Sequence, residues 1–321
     1  MTSQTSAPTP GEQRLIRRLR SRLADAGLSG SFLVRDLETG REVGIDPDVE
    51  LPIASLVKVP LAVAVLNRLH AGDLDGARIV EISPRPLEGA SGVGLSRFRH
   101  PAHISVDDLL YLSLAISDNA ASDALFDLVP PAEVQRMLRE MNVSGIAVRH
   151  SMSGLQQSPA SVLAPDQVHL AQLLAIGAGT AGRGHPVAQL DVTKANTGTA
   201  RAFADLLEVL WGCRLGVSSP GVPAEVAARI RELMRGNLIS QRLAPDFTSD
   251  AAIWSSKTGT LLNLRHEAGV VEHEDGAVLA VVALTESSVA ATSQPAAEAL
   301  MGEVARGLHD FLRSRDFGGV G

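Results

Sequence analysis

The chain has 321 residues, of which 45% are hydrophobic and 20% charged, with a formal net charge of -7. That composition excludes a disordered chain, because the apolar surface suffices to offset chain entropy. It also argues against a nucleic-acid-coating surface, which needs a net basic field.

In chain order, residues 1–11 are polar, carry Pro8 and Pro10, and read as a loose tail. No apolar signal core follows, so the chain as written reads as cytoplasmic; a trimmed export signal would make it periplasmic or secreted. Leu15, Ile16, Leu19 and Leu23 recur at helical spacing until Gly27, which suits a packed helix better than a transit peptide. Two alternating runs around Glu38-Thr39-Gly40 predict a hairpin. Residues 55–72 are apolar almost throughout until Asn67, which predicts a buried helix stopping near Gly72. Residues 81–104, rich in Pro, Gly, Ser and Arg, read as a loop.

Ser105-Val106-Asp107-Asp108 resembles a capping box with Asp in place of Glu. The helix it opens carries Leu109, Leu110, Leu112 and Leu114. Further helices are expected at about 120–129 and 132–141, then a mostly irregular stretch over 142–195 around one apolar run, and helices at about 199–211 and 223–236. Three strands follow, the last two turning at Asp275-Gly276, and Leu300, Val304, Leu308, Phe311 and Leu312 mark a closing helix. The order is helix, two strands, a helical block, three strands, helix. An α+β fold satisfies it: a sheet made from both chain ends with an all-helical insertion. The expected division is an α/β lobe from 12–50 and 240–316, and a helical lobe from 51–239, forming one catalytic domain. Aliphatic side chains must build the core, since aromatics are 3%. The single cysteine, Cys213, allows no internal disulfide and no cysteine-based zinc site. No run of 18 apolar residues is present, so no membrane span is expected.

Three short strings stand out together: Ser55-Leu56-Val57-Lys58, Ser117-Asp118-Asn119 and Lys257-Thr258-Gly259. An S-x-x-K string alone arises by chance about once in a chain this long. The chemistry gives the combination meaning. A serine hydroxyl attacks poorly until a neighbouring base takes its proton. At i and i+3 on a helix, Ser55 and Lys58 share a face. The apolar surroundings of Lys58 disfavour its ammonium and lower its pKa toward a usable base. Ser55 at the helix start turns its own N–H toward a developing oxyanion. Ser117 is placed to relay a proton and Asn119 to hold Lys58 or a substrate carbonyl, although Ser, Asp and Asn are also the ordinary helix caps. Lys257 and Thr258 on a strand would attract a substrate carboxylate, Gly259 would let substrate approach, and the Thr260 N–H would be a second oxyanion donor. A plain strand-end turn is the alternative there. Arg265 would add positive charge, or else be a solvated edge arginine.

With these motifs the sequence resembles the class A serine β-lactamases and their penicillin-binding-protein relatives, whose signature is this S-x-x-K, S-D-N, K-T-G set. The resemblance runs from the first helix to the last. It implies a two-lobed α/β sandwich with an antiparallel five-stranded sheet. It further implies Ser55 as the acylated nucleophile, Lys58 as its base or relay, and Ser117 as a proton shuttle. Asn119 would orient substrate, and Lys257, Thr258 and Arg265 would bind a carboxylate beside Gly259 and Thr260. One part of the family pattern is missing. Class A enzymes carry an omega-loop glutamate within E-x-x-L-N that activates the deacylating water. No such string occurs here, and no glutamate lies between Glu140 and Glu208. Asp166 and Asp191 are the candidate substitutes.

The expected function is therefore a β-lactamase-like serine hydrolase that forms an acyl-enzyme at Ser55 on a carboxylate-bearing β-lactam, amide or ester, with weak or atypical deacylation. The alternatives are a penicillin-binding or β-lactam-sensing protein that traps the acyl group, and an intracellular esterase or acyltransferase. No cofactor, metal, nucleic acid, membrane or obligate protein partner is expected. Residues 177–182 match G-x-G-x-x-G without the strand before and helix after that dinucleotide binding requires. His100 and His103 read as surface histidines, since no carboxylate cluster joins them.

Overall fold

In the computed structural model the residues described are 8–84, 93–154, 168–178, 183–212, 215–216, 221–249, 251–290 and 293–314. Helix α1 (Pro10–Asp25) starts on Thr9, whose hydroxyl accepts from the Glu12 N–H. Strands β1 (Leu28–Asp36) and β2 (Glu42–Ile45) form the expected hairpin. The short β3 (Leu51–Pro52) leads into a 3-10 turn, Ala54–Val57, that continues as α2 (Lys58–His70). Pro60 thus sits in the first α-helical turn, where a missing N–H costs little. From Lys58 to Leu66 every residue of α2 is buried.

Strands β4 (Ile79–Ile82) and β5 (Ala102–Ser105) pair antiparallel. The sequence reading left both out, because alternation over four residues is lost in Pro- and Gly-rich surroundings. Residues 85–92 of that expected loop lie outside the described residues. Ser105 caps α3 (Val106–Ala115): its hydroxyl accepts from the Asp108 N–H at 3.2 Å and donates to the Asp108 carboxylate at 2.6 Å. Next come α4 (Asn119–Leu128), α5 (Pro131–Glu140), β6 (Ile146–Ala147), α6 (Val168–Ala178), β7 (Thr197–Gly198), α7 (Ala200–Gly212), α8 (Ala224–Arg235) and the short α9 (Ala244–Phe247). β7 joins β3 to β6 in a small antiparallel sheet.

Strands β8 (Ala252–Leu261), β9 (Leu264–His273) and β10 (Val278–Ser287) complete the main sheet, in the order β2-β1-β10-β9-β8, and α10 (Pro295–Ser314) closes the chain. All four strand pairs are antiparallel, and β1 from one chain end lies beside β10 from the other. Both faces of the sheet are covered. Leu33, Ala268, Val270, Ala280 and Val282 face the helical insertion, while Phe32, Val34, Val271, Leu279 and Val281 face α1 and α10. This double burial explains why β10 reads as a continuous apolar run rather than an alternating one. β8 ends the sheet, so one of its edges is free of strand pairing.

Candidate active site

The site forms where the 3-10 turn meets β8. Ser55 is half-buried on that turn, behind Ala54, whose φ of +47° is a left-handed conformation rare outside glycine. Two contacts seat the turn. A Cβ on Gly259 would lie 2.9 Å from the Ile53 carbonyl oxygen and 3.3 Å from Leu56 Cγ, so only a bare strand residue lets the turn pack there. The space beside Gly259 is thus filled by the turn itself rather than left open to a substrate. The second contact is His266 on β9. Its Nδ1 accepts from the Thr285 N–H at 3.0 Å, which leaves the proton on Nε2 to donate to the Pro52 carbonyl at 2.8 Å. Burial pushes His266 down to about 4, so it stays neutral. Gly259→Val should force the turn off β8, costing about 1–3 kcal/mol by overpacking. Urea unfolding checks this; unchanged stability would show that the turn is not held there.

Lys58 is fully buried, and its Nζ donates to the Ser117 carbonyl at 2.7 Å, Ser117 Oγ at 3.2 Å and Asn119 Oδ1 at 2.7 Å. Desolvation lowers its pKa to about 7, against the opposing pull of Asp118 and Asp123. The amine thus turns toward the Ser117–Asn119 corner, and Ser55 Oγ forms no hydrogen bond to a described residue. Ser117 takes a φ of +59°, which aims its carbonyl and hydroxyl at the same amine. Asp118 is structural. Fully buried, it caps α4 by accepting from the N–H groups of Ala120 and Ala121, and it takes the Leu95 N–H at 2.6 Å. In this triplet Asp118 is the helix cap, while Ser117 and Asn119 hold the Lys58 amine.

Lys257 is also fully buried, with Nζ on the Thr258 carbonyl at 2.9 Å. Desolvation, then the charges of Lys58 and Arg242, drive its pKa well below the ordinary lysine value. Leu261 and Leu264 flank a two-residue turn and so exchange both ladder hydrogen bonds. By alternation, the Thr260 N–H points away from β9, to the free edge of β8. Arg265 is buried, donates to the Leu262 and Leu264 carbonyls at 2.6 and 2.8 Å, and lies 3.9 Å from Glu298, so it braces the β8–β9 turn.

The cation that reaches the strand end is Arg242, which the sequence reading missed. It donates to the carbonyls of Gly259 (2.9 Å) and His266 (2.7 Å), to Thr260 Oγ1 (2.6 Å) and to Glu298 (3.0 Å). No motif or spacing marks it: it lies in an irregular stretch between α8 and α9. His266 was equally silent, since only the fold brings Pro52 against it.

Residues 148–196 link β6 to β7, and the two ends of this stretch meet. There Asn196 Oδ1 accepts from the Arg149 and His150 N–H groups, and Asn196 Nδ2 donates to the His150 carbonyl. This stretch holds two acids. Asp191 accepts from the Thr193 N–H and hydroxyl, which hold its carboxyl below the usual range. Lys194 lies 3.7 Å from it, and no bond of the carboxylate joins Lys58 or Ser117. Asp166 lies outside the described residues, as do residues 179–182 of the glycine motif. His103 is exposed, 3.9 Å from Glu81. Among the described residues no three His, Cys, Asp or Glu side chains are grouped to hold a metal ion, and no helix is long and apolar enough to cross a membrane.

Comparison with known proteins bears on the fold and the family. The chain is 61% identical over 306 residues to the beta-lactamase regulatory protein BlaB of Streptomyces cacaoi, covering 94% of this chain and 98% of that one. Among solved structures it is similar to a beta-lactamase from Chitinophaga pinensis (TM-score 0.72, 19% identity, 94% of this chain and 99% of the other). It is also similar to PBP-A (TM-score 0.70, 18% identity, 96% and 98%). The profile of the beta-lactamase enzyme family matches residues 14–312, and the chain belongs to that family.

Proposed function

We propose that this protein is a regulatory receptor whose cleft takes a carboxylate-bearing acyl compound of the β-lactam class, becomes acylated at Ser55 and does not turn over. The observation that carries the reading is the near full-length 61% identity to a protein named as a beta-lactamase regulator. Neutral Lys58 takes the Ser55 proton as Oγ attacks the acyl carbon. The Ser55 and Thr260 N–H groups receive the oxyanion. Ser117 passes a proton to the leaving nitrogen, and Asn119 orients the substrate amide. Thr258 and Thr260, beside Lys257 and Arg242, receive the carboxylate. Release of the acyl group needs a water and a base on the omega-loop side. The E-x-x-L-N glutamate is absent and Asp191 is bound locally, which supports a persistent adduct.

A second reading, non-covalent recognition in the same cleft, is favoured by one observation: Lys58 hydrogen-bonds Ser117 and Asn119 but not Ser55 Oγ. Intact-mass measurement of the protein with benzylpenicillin over hours separates these. A lasting adduct that vanishes in Ser55→Ala is the expected result. No adduct, with saturable binding, favours the second reading. Rapid return to free mass with penicillin consumed would mean a hydrolase and end the receptor proposal.

A further inference from the structure

A cavity of about 550 Å³ opens beside the N-terminal half of β8, between that strand, the end of α8 and the short α9. Its size is ordinary for a small-molecule site. It lies beyond Ser256, on the side of Lys257 away from Thr260, and its lining includes none of Ser55, Lys58, Ser117 or Asn119. Trp254, Met234, Pro245 and Ile253 supply apolar wall, with Trp254 held rigid by stacking on Phe247 at 5.2 Å and by donating its N–H to Glu267. Ser256 and Asn237 meet at 3.1 Å on the inner wall, and Ser256 also donates to Glu267. Those polar groups are satisfied by one another. Arg235 is the charged group that remains. It is exposed at the end of α8 and pairs with no acidic group among the described residues.

We propose that this cavity is a second ligand site, distinct from the Ser55 cleft, for a small molecule with a flat apolar body and one anionic group. The body lies against Trp254, Ile253 and Pro245, and the anion pairs with Arg235. A rigid aromatic wall contributes binding at little entropic cost, and the lone guanidinium fixes the orientation. The inference goes beyond the proposed function and does not depend on acylation.

The test uses an anilinonaphthalene sulfonate, a flat apolar anion that fluoresces when dehydrated. The chain has two tryptophans, and Trp211 is fully buried with its N–H on Glu272. The Trp211→Phe variant therefore leaves Trp254 as sole donor for energy transfer to the probe. Saturable transfer from Trp254 is expected. Arg235→Glu should weaken it at least about tenfold, and Ile253→Glu should abolish it. Both residues are exposed, so the fold tolerates these changes. Leu174→Ser, on the exposed leucine face of α6, should leave it unchanged. Ser55→Ala should also leave it unchanged, whatever becomes of penicillin acylation. Transfer that does not saturate, that survives both Arg235→Glu and Ile253→Glu, or that disappears in Ser55→Ala would overturn the proposal.

Discussion

Replacing Lys58 by methionine is expected to make the protein more stable while slowing the proposed acylation of Ser55. The lysine is fully buried, and its fall from 10.5 to about 7 corresponds to about 5 kcal/mol of unfavourable burial of the charged form. Methionine escapes that cost but strands the Ser117 carbonyl and Asn119 Oδ1, at about 1–3 kcal/mol for an orphaned buried group. With two groups stranded, a net gain of about 1 kcal/mol and about 2 °C in Tm is expected near pH 6. The sign with pH follows from linkage. Between about pH 7 and 10.5 the unfolded chain holds a proton that the folded chain has lost, so wild-type stability rises with pH across that window. The penalty is complete below about pH 7, so the advantage of Lys58→Met should shrink by about 3 kcal/mol between pH 6 and pH 9. Urea unfolding at the two pH values measures this. A variant less stable than wild type at both would refute the desolvated-lysine account. On the proposed acylation, the same change should slow labelling of Ser55 by about 10³-fold. The wild-type labelling rate should rise about tenfold per pH unit below pH 7 and level off above, because only the neutral amine accepts the serine proton.

Arg242→Ala should produce the largest loss of stability at the site. The guanidinium is 2% exposed and joins four acceptors: Glu298, the Gly259 and His266 carbonyls, and Thr260 Oγ1. Removing one member of a buried ion pair leaves its partner charged and under-satisfied, at about 3–5 kcal/mol. Arg265, 3.9 Å from Glu298, softens this, which places the expected loss near 3 kcal/mol and about 6 °C in Tm. Two further effects follow. Lys257 loses a nearby cation that depresses its pKa, so its proton is held more firmly. The strand end also loses the charge that lies on Thr260, so the penicillin concentration for half-maximal labelling should rise at least about tenfold. Arg242→Lys should restore charge but not the fork, recovering part of the affinity and less of the stability. A Tm change under 1 °C in Arg242→Ala would remove Arg242 from its place in the site.

The three triplets were legible in the sequence because each is a local string of particular residue types. The fold class was legible for a similar reason: α2 is apolar on all sides, β9 and β10 are apolar runs divided by Asp275-Gly276, and both patterns record burial directly. β4 and β5 escaped because four residues carry too little periodicity against a loop-like background.

By itself, then, the sequence determined the class of fold, the order of its longer elements and the three strings that meet at the candidate site, since burial and local chemistry leave their mark residue by residue. Only the tertiary structure decided which of those groups meet. It turned Lys58 toward Ser117 and Asn119 rather than Ser55, gave Asp118 to a helix cap, set Arg265 in a turn and brought Arg242 to the strand end. The physical reason is that an ionic or hydrogen-bonded contact between residues far apart in sequence has no period and no spacing. It depends on where two buried elements come to rest against each other, and a single-residue pattern does not encode that.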